Sequence, residues 1–445
     1  MKNTALVFLA IMMSTTFNSC VFEGRFEGLA PGPWRASLLL DGRKGEQASS
    51  KKSKYSLEIQ KFKFEEVSEG ELPFIFEVTH TSMDSFFIEI INGEERIKVP
   101  TEHISYYRDK SNGHNNLRID FPHYDAYIQG RFEENVFEGE YILTTKDDYS
   151  IPFVAKQGQN YRFSQLRKSP KMDVSGEWEV TFGLDTDEPY KAIGEFKQDG
   201  NYLTGTFLTE TGNYRYLEGT IQADRLYLST FDGSHAFLFE AKVMEDSSLI
   251  GSFRSGNHYR TLWEAKRNSN VELASEYELT YLKEGYDELA FSFPNTENKP
   301  VSLKDEAYDG KVKIVQILGT WCPNCGDETM FLSDYLNKNK NENLAVIGLA
   351  YERHSEFDKA AAAVNRMKKR FDVPYEMLIA GTSSKIEAAK TLPMLNAIIS
   401  YPTMIFIGKK GKVRKIHTGF AGPATSKYDD FKKEFEETVE LLLNE

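Results

Sequence analysis

Cys322 and Cys325, in the run Trp321-Cys322-Pro323-Asn324-Cys325, have the spacing at which one sulfur attacks a disulfide and the other resolves the product. The apolar run Val312-Lys313-Ile314-Val315-Gln316-Ile317-Leu318 ahead of them reads as a buried strand. Apolar residues at helical spacing follow: Met330, Leu332, Tyr335 and Leu336. The pair therefore falls where a strand feeds a helix, the setting of a dithiol suited to redox exchange. The thiolate is the reactive species, and a free cysteine, with a pKa of about 8.5, is mostly protonated at neutral pH. A helix start corrects this, because unpaired backbone N–H groups and the helix dipole favour a negative sulfur. The spacing thus predicts a depressed pKa for Cys322 and a buried, less reactive Cys325 one turn on. Pro323, just inside the helix, lacks an N–H that the first turn would leave unsatisfied anyway.

Other chemistry fits the pair less well. A C-x-x-C is also half of a zinc site, but no second pair of Cys or His stands at ligand spacing, so no metal is expected. A purely structural disulfide between residues three apart would close almost no loop and add little stability. The chain has three cysteines in 445 residues, and the third, Cys20, closes an apolar N-terminal leader. Glu328 follows the pair and, on sequence alone, reads as a dipole-favoured surface charge. Trp321 either shields the pair or only packs beside it. Asp327, His354 and His417 carry weaker signals. His354 reads as a solvated loop residue, and the basic run Arg366 to Arg370 as a solvated helix face.

The elements around the pair alternate. Leu344–Ala350 is a short apolar run typical of a central parallel strand, and Phe357, Ala361, Val364 and Met367 recur at helical spacing. Met404–Ile407 reads as another strand, and Phe431, Phe435, Val439 and Leu442 mark a closing amphipathic helix. Residues 288–445 are therefore an α/β unit. Residues 269–287 are polar and read as a linker. Before them, alternating runs such as Phe86-Phe87-Ile88-Glu89-Ile90 and Leu226-Tyr227-Leu228-Ser229 are separated by turn signals such as Asn92-Gly93 and Asp232-Gly233. This region is expected to be all-β, an antiparallel sandwich or barrel. A weak echo divides it into 20–170 and 171–268. Pro33-Trp34-Arg35-Ala36 and Gly176-Glu177-Trp178-Glu179-Val180 open the two stretches. Phe153-Val154-Ala155-Lys156 and Trp263-Glu264-Ala265-Lys266 close them. Duplication and chance recurrence in a β-rich chain both account for the echo.

The stretch 288–445 resembles the TlpA-like, ResA-type thiol–disulfide oxidoreductases, membrane-anchored proteins of thioredoxin fold. The likeness rests on Gly310-Lys311-Val312, Gly319-Thr320-Trp321-Cys322-x-x-Cys325-x-x-Glu328, Tyr401-Pro402-Thr403 before a strand, and Gly408-Lys409-Lys410-Gly411-Lys412 after it. The resemblance implies a multidomain protein, all-β at the N-terminal side with a C-terminal thioredoxin fold. Cys322 and Cys325 would cycle between dithiol and disulfide, with Glu328 as proton acceptor. Pro402 would be cis against the pair, leaving the Tyr401 backbone open to a substrate chain. Trp321, Tyr401, Pro402 and Thr403 would then line the substrate site. The buried acid that thioredoxin itself carries six residues before its first cysteine is Gln316 here, so proton transfer falls to Glu328 or water. No cofactor is implied. The implied partners are disulfide-containing envelope proteins and a DsbD-like membrane thiol reductant, with reduction as the direction.

The bulk numbers fit a globular chain of several domains, and the leader fits an exported one. A net charge of −13 argues against nucleic acid and against adhesion to anionic membranes. Residues 1–19, with Lys2 as their one charge and an apolar run from Ala5 to Met13, read as a signal peptide. Ser19-Cys20 at its end resembles a bacterial lipoprotein processing site, which would lipidate Cys20 and hold the protein at the periplasmic side of a membrane; an ordinary cleaved signal is the alternative. No later run is long enough for a second span. Two other functions stay open. A peroxiredoxin-like peroxidase would need a Thr three residues before its reactive Cys, where this chain has Gly319. The β region, in which no site residue stands out, would serve in the other as an envelope-binding module that carries the redox unit.

Overall fold

The computed structural model describes residues 27–41 and 69–445, so the leader and Cys20 lie outside the described residues. Three hydrophobic cores organise the rest, one for each of three large sheets.

The first sheet is antiparallel and nine-stranded. In spatial order its strands are Glu95–Val99, Ser85–Asn92, Glu71–Ser82, Gly32–Leu39, Ser150–Gln157, Val136–Leu143, Ala126–Glu133, Asn115–Phe121 and Ile104–Arg108. Its end strands follow one another in the chain through the short turn Thr101–His103 yet do not pair, which leaves a half-barrel. Alternation sets its face: in Ser85–Asn92 every second residue, Phe86, Ile88, Ile90 and Asn92, is buried.

The second sheet runs Tyr190–Asp199, Gly176–Phe182, Tyr259–Arg267, Leu249–Ser255, Ala236–Val243, Arg225–Phe231, Leu217–Gln222, Tyr202–Thr209 and Gly212–Asn213. Tyr202–Thr209 pairs with Leu217–Gln222 on one side and with Tyr190–Asp199 on the other, so this sheet closes into a barrel. Trp178, Phe182, Phe207, Phe239, Phe253 and Trp263 fill it, with Phe239 and Phe253 stacked at 4.5 Å. The pattern of Arg225–Phe231 explains how the two β units join. Leu226 and Leu228 point into the barrel, while Tyr227 and Phe231 belong to the half-barrel's core. Phe231 stacks on Phe74 at 4.5 Å and meets Tyr141 edge-on at 5.3 Å. A strand buried on both faces reads as a continuous apolar run, and burial of this kind is worth about 25 cal/mol per Å².

The two units begin alike. The Trp34 indole donates to the Ala30 carbonyl and the Trp178 indole to the Val174 carbonyl, both at 2.9 Å. In each, the opening strand pairs with the closing one in the same register: Ala36 faces Ala155, and Val180 faces Ala265.

Residues 269–287 do not hang free between the barrel and the α/β unit. The Glu276 carbonyl accepts from the Thr418 amide at 2.9 Å, Lys283 donates to the Met394 carbonyl at 2.8 Å, and Leu282 bridges Leu395. The third sheet has the order Glu376–Thr382, Leu344–Glu352, Val312–Leu318, Thr403–Ile407, Val413–Thr418, parallel among the first three and antiparallel beyond. Its helices are α1 (Pro323–Lys338), α2 (Phe357–Arg370), α3 (Lys385–Thr391) and α4 (Tyr428–Leu443). Every residue of Val312–Leu318 is buried, as a strand covered on both faces requires. This is the thioredoxin fold. Among the described residues no helix is long and apolar enough to cross a membrane.

Candidate active site

The central strand ends at Leu318, and Gly319-Thr320-Trp321 turns the chain into α1. Glu352, buried at the end of the neighbouring strand, holds that turn: its carboxylate accepts from the Thr320 amide at 3.0 Å and from the Thr320 hydroxyl at 2.7 Å. Gly319 is fixed by a close approach, since a Cβ there would lie 2.4 Å from the Trp321 indole nitrogen. The threonine that a peroxiredoxin-like site needs has no room at this position. The Trp321 indole donates to the Tyr351 carbonyl at 2.9 Å, its ring meets Tyr401 edge-on at 5.6 Å, and the Arg353 guanidinium lies 4.9 Å from the ring centre.

Cys322 is the N-cap of α1. Its sulfur accepts from the Cys325 amide at 3.4 Å and lies 3.5 Å from the Tyr401 carbonyl oxygen. The Cys325 thiol hydrogen bond, the Cys325 and Asn324 amides and the charge of Arg215 together hold the Cys322 thiol below its ordinary pKa, against the opposing effect of burial. Cys325 is fully buried, and burial pushes its pKa well up. Both are free thiols, so the pair is described in its dithiol form and the disulfide named from the sequence is not formed here. In this form the Cys325 thiol stabilises charge on the Cys322 sulfur.

Glu328 is not a surface charge. It is the sixth residue of α1, faces the sheet and is fully buried. One carboxyl oxygen accepts from the Gln316 amide at 2.9 Å, and the other has no hydrogen-bond partner. Burial pushes its pKa up to about 8. Gln316 is itself held by Tyr375, whose hydroxyl donates to it at 3.0 Å. The Tyr401–Pro402 bond is cis. Thr403 is fully buried and its hydroxyl donates to the Ser400 carbonyl at 2.9 Å, so it braces this loop instead of presenting a side chain to a substrate.

Sequence reasoning missed the largest electrostatic feature here. Arg215, from the barrel, is buried and ion-paired with Asp327 of α1 and Glu95 of the half-barrel, with Asp232 3.5 Å away. Burial alone would push its pKa down; the three carboxylates outweigh that and keep it charged. Asp232 also lies under opposing influences, burial raising it and His235 with Arg215 lowering it, and it settles at about 2. No motif marks Tyr214-Arg215-Tyr216, and its partner Asp327 lies 112 residues away. Two local readings are corrected by tertiary partners. His354 is not a solvated loop residue; its imidazole lies 3.0 Å from Asp125 of the half-barrel. The basic run of α2 is only in part a solvated face: Lys369 and Arg370 are exposed, but Arg366 pairs with Asp125 at 3.2 Å and Arg370 reaches the Tyr124 hydroxyl at 3.5 Å. His417 is buried, with Nδ1 3.1 Å from the Gly419 carbonyl oxygen. Among the described residues no group of three or more His, Cys, Asp or Glu is placed to hold a metal ion.

Residues 284–431 match the family model described as Redoxin. ResA, a thiol–disulfide oxidoreductase of Bacillus thuringiensis subsp. konkukian, is 27% identical over 142 residues, which cover 31% of this chain and 73% of that protein. ResA of Bacillus subtilis is 23% identical over 138 residues, covering 31% and 69%. A solved thiol–disulfide oxidoreductase from Bacteroides fragilis is 21% identical and superposes with a TM-score of 0.25, over 34% of this chain and 99% of its own.

Proposed function

We propose that this protein, whose C-terminal domain is a thioredoxin-fold oxidoreductase domain related to ResA, reduces disulfides in cell-envelope proteins from an exported, lipid-anchored position. The observation that carries the reading is the Cys322 sulfur at the N-cap of α1, accepting the Cys325 amide above a buried Glu328 with an elevated pKa. The Cys322 thiolate attacks one sulfur of a partner disulfide. That S–S bond breaks, a mixed disulfide forms, and the departing partner sulfur takes up a proton. With Cys322 bound in the mixed disulfide its negative charge no longer raises Glu328, so the carboxyl loses its proton to water and the carboxylate accepts the Cys325 proton, directly or through water. The Cys325 thiolate attacks the Cys322 sulfur, releasing the second partner thiol and leaving the Cys322–Cys325 disulfide. Two electrons have passed from this chain to the partner, and a membrane thiol reductant of the DsbD-like kind returns them. Export and anchoring rest on the leader and Cys20, where Cys20→Ser is expected to move the protein from the membrane to the soluble fraction.

Trapping tests the reaction. In cells, Cys325→Ser accumulates mixed disulfides with natural partners because the resolving sulfur is gone, whereas Cys322→Ser accumulates none. Equal trapping by both, or by neither, contradicts the assigned roles.

A further inference from the structure

The barrel does more than adjoin the redox domain. Two stretches of that domain meet at the Cys322 sulfur, the tip of α1 and the loop Ser400–Pro402, and a third, from Gly419 to Gly422, is hydrogen-bonded to that loop. Tyr401 faces the sulfur with its carbonyl, and the Gly419 amide donates to the Pro402 carbonyl at 2.9 Å. One barrel segment, Thr209–Arg215, touches all three. The Asn324 side-chain amide donates to the Asn213 carbonyl at 3.1 Å, and the Ser400 hydroxyl to the Thr211 carbonyl at 2.7 Å. Asn213 donates to the Phe420 carbonyl at 3.1 Å. The fit is tight at two glycines: a Cβ on Gly419 would lie 2.8 Å from the Thr211 backbone, and one on Gly212 would lie 2.8 Å from the Asn324 side chain. Arg215 pins the segment to Asp327 on the same helix, and from a second barrel turn the Ser234 hydroxyl lies 3.5 Å from the Trp321 carbonyl oxygen. Pro323 and Pro402 are buried and Tyr401 is only 7% exposed, while Cys322 keeps a partial opening.

We propose that the barrel segment Thr209–Arg215 is a fixed wall of the substrate opening, which admits a disulfide carried on a short, extended and flexible chain and excludes one on the surface of a folded protein. The inference rests on Cys322 being the attacking sulfur and names the substrate class of that reaction. A folded partner must bring a broad rigid surface to within bonding distance of the sulfur, and the wall occupies the ground that surface needs. An extended chain is only about 4.8 Å across in the plane of its hydrogen bonds and can enter beside it.

Two paired measurements on the full chain test this. N-ethylmaleimide and the same maleimide on a long polyethylene glycol chain are compared for their rates at Cys322, each normalised to the protein unfolded in urea. A flexible disulfide-bridged peptide and a folded protein with a surface disulfide are compared as substrates. The wall predicts a preference of about tenfold or more for the small reagent and for the peptide. Gly212→Trp, which wedges the segment away from Asn324, is expected to narrow both ratios to about threefold or less; if that variant does not fold, the wild-type ratios decide alone. Equal reaction with both maleimides, or equal reduction of both substrates, overturns the wall. Failure to reduce the peptide while the size preference among maleimides persists instead overturns the oxidoreductase reading, and with it the substrate class.

Discussion

Two acidic groups define the chemistry at the scale of single residues, the Cys322 thiol and the Glu328 carboxyl, and their environments push them in opposite directions. Cys322 is lowered by hydrogen bonds to its sulfur, while Glu328 is raised to about 8 because burial leaves one of its oxygens without a partner. A neutral Glu328 at pH 7 has a consequence for stability. Below about pH 4.5 the residue is protonated whether the chain is folded or not, so its contribution is fully present. Between 4.5 and 8 the unfolded chain releases the proton and the folded one keeps it, so stability falls as pH rises, and the loss levels off above 8. Glu328→Gln removes this term. It is expected to match wild type near pH 4.5 and to exceed it at pH 8 by roughly 3–5 kcal/mol in denaturant titrations. The same substitution is expected to slow resolution of the mixed disulfide about 100-fold, read as accumulation of trapped partner, because the acceptor for the Cys325 proton is gone. A Gln variant that resolves at wild-type speed would assign that proton to water.

At the scale of elements, the strand–turn–helix unit is legible because its determinants are local. An apolar run, a tight turn at Gly319, a capping thiol and Pro323 all lie within a dozen residues. The tertiary clamp on that unit is not legible. Asp327 looks like a surface acid beside the motif until Arg215 is brought to it across a domain boundary, and Arg366 looks solvated until Asp125 meets it. Charge patterns in a sequence report which residues need a partner, not whether water or another domain supplies it. Arg215→Met is expected to cost about 3–5 kcal/mol in a denaturant titration, since it removes the ion-pair partner of Asp327 and Glu95 in a buried site and leaves Asp232 with His235 alone as a cationic neighbour. A loss under about 1 kcal/mol, the scale of exposed pairs, would mean that water reaches the cluster.

Across the whole molecule, alternation and turn residues announce β structure before residue 268 but leave sandwich and barrel undecided. Closure depends on Tyr202–Thr209 pairing on both sides, a fact of register that no single strand carries. The joint between half-barrel and barrel was hidden for a related reason: Tyr227 and Phe231 serve a different core from Leu226 and Leu228. The redox domain is therefore attached to a scaffold with its own continuous packing, and Asp125 binds both His354 and Arg366 to it. Asp125→Ala is expected to loosen that contact, increasing hydrogen exchange in α2 while leaving the barrel strands as protected as before. Protection unchanged in α2 would move the docking strength to the barrel contacts, Arg215–Asp327 and the hydrogen bonds of Thr211 and Asn213.

The central claim is that the Cys322 sulfur ionises readily because hydrogen bonds and a helix start converge on it. The most direct test is the pH dependence of its alkylation by iodoacetamide in the intact dithiol protein, with the modified site read by mass spectrometry. The midpoint is predicted to fall clearly below the value of about 8.5 for a free cysteine, with Cys325 unmodified throughout. A midpoint at or above that value, or labelling of Cys325 at the same rate, would contradict the account.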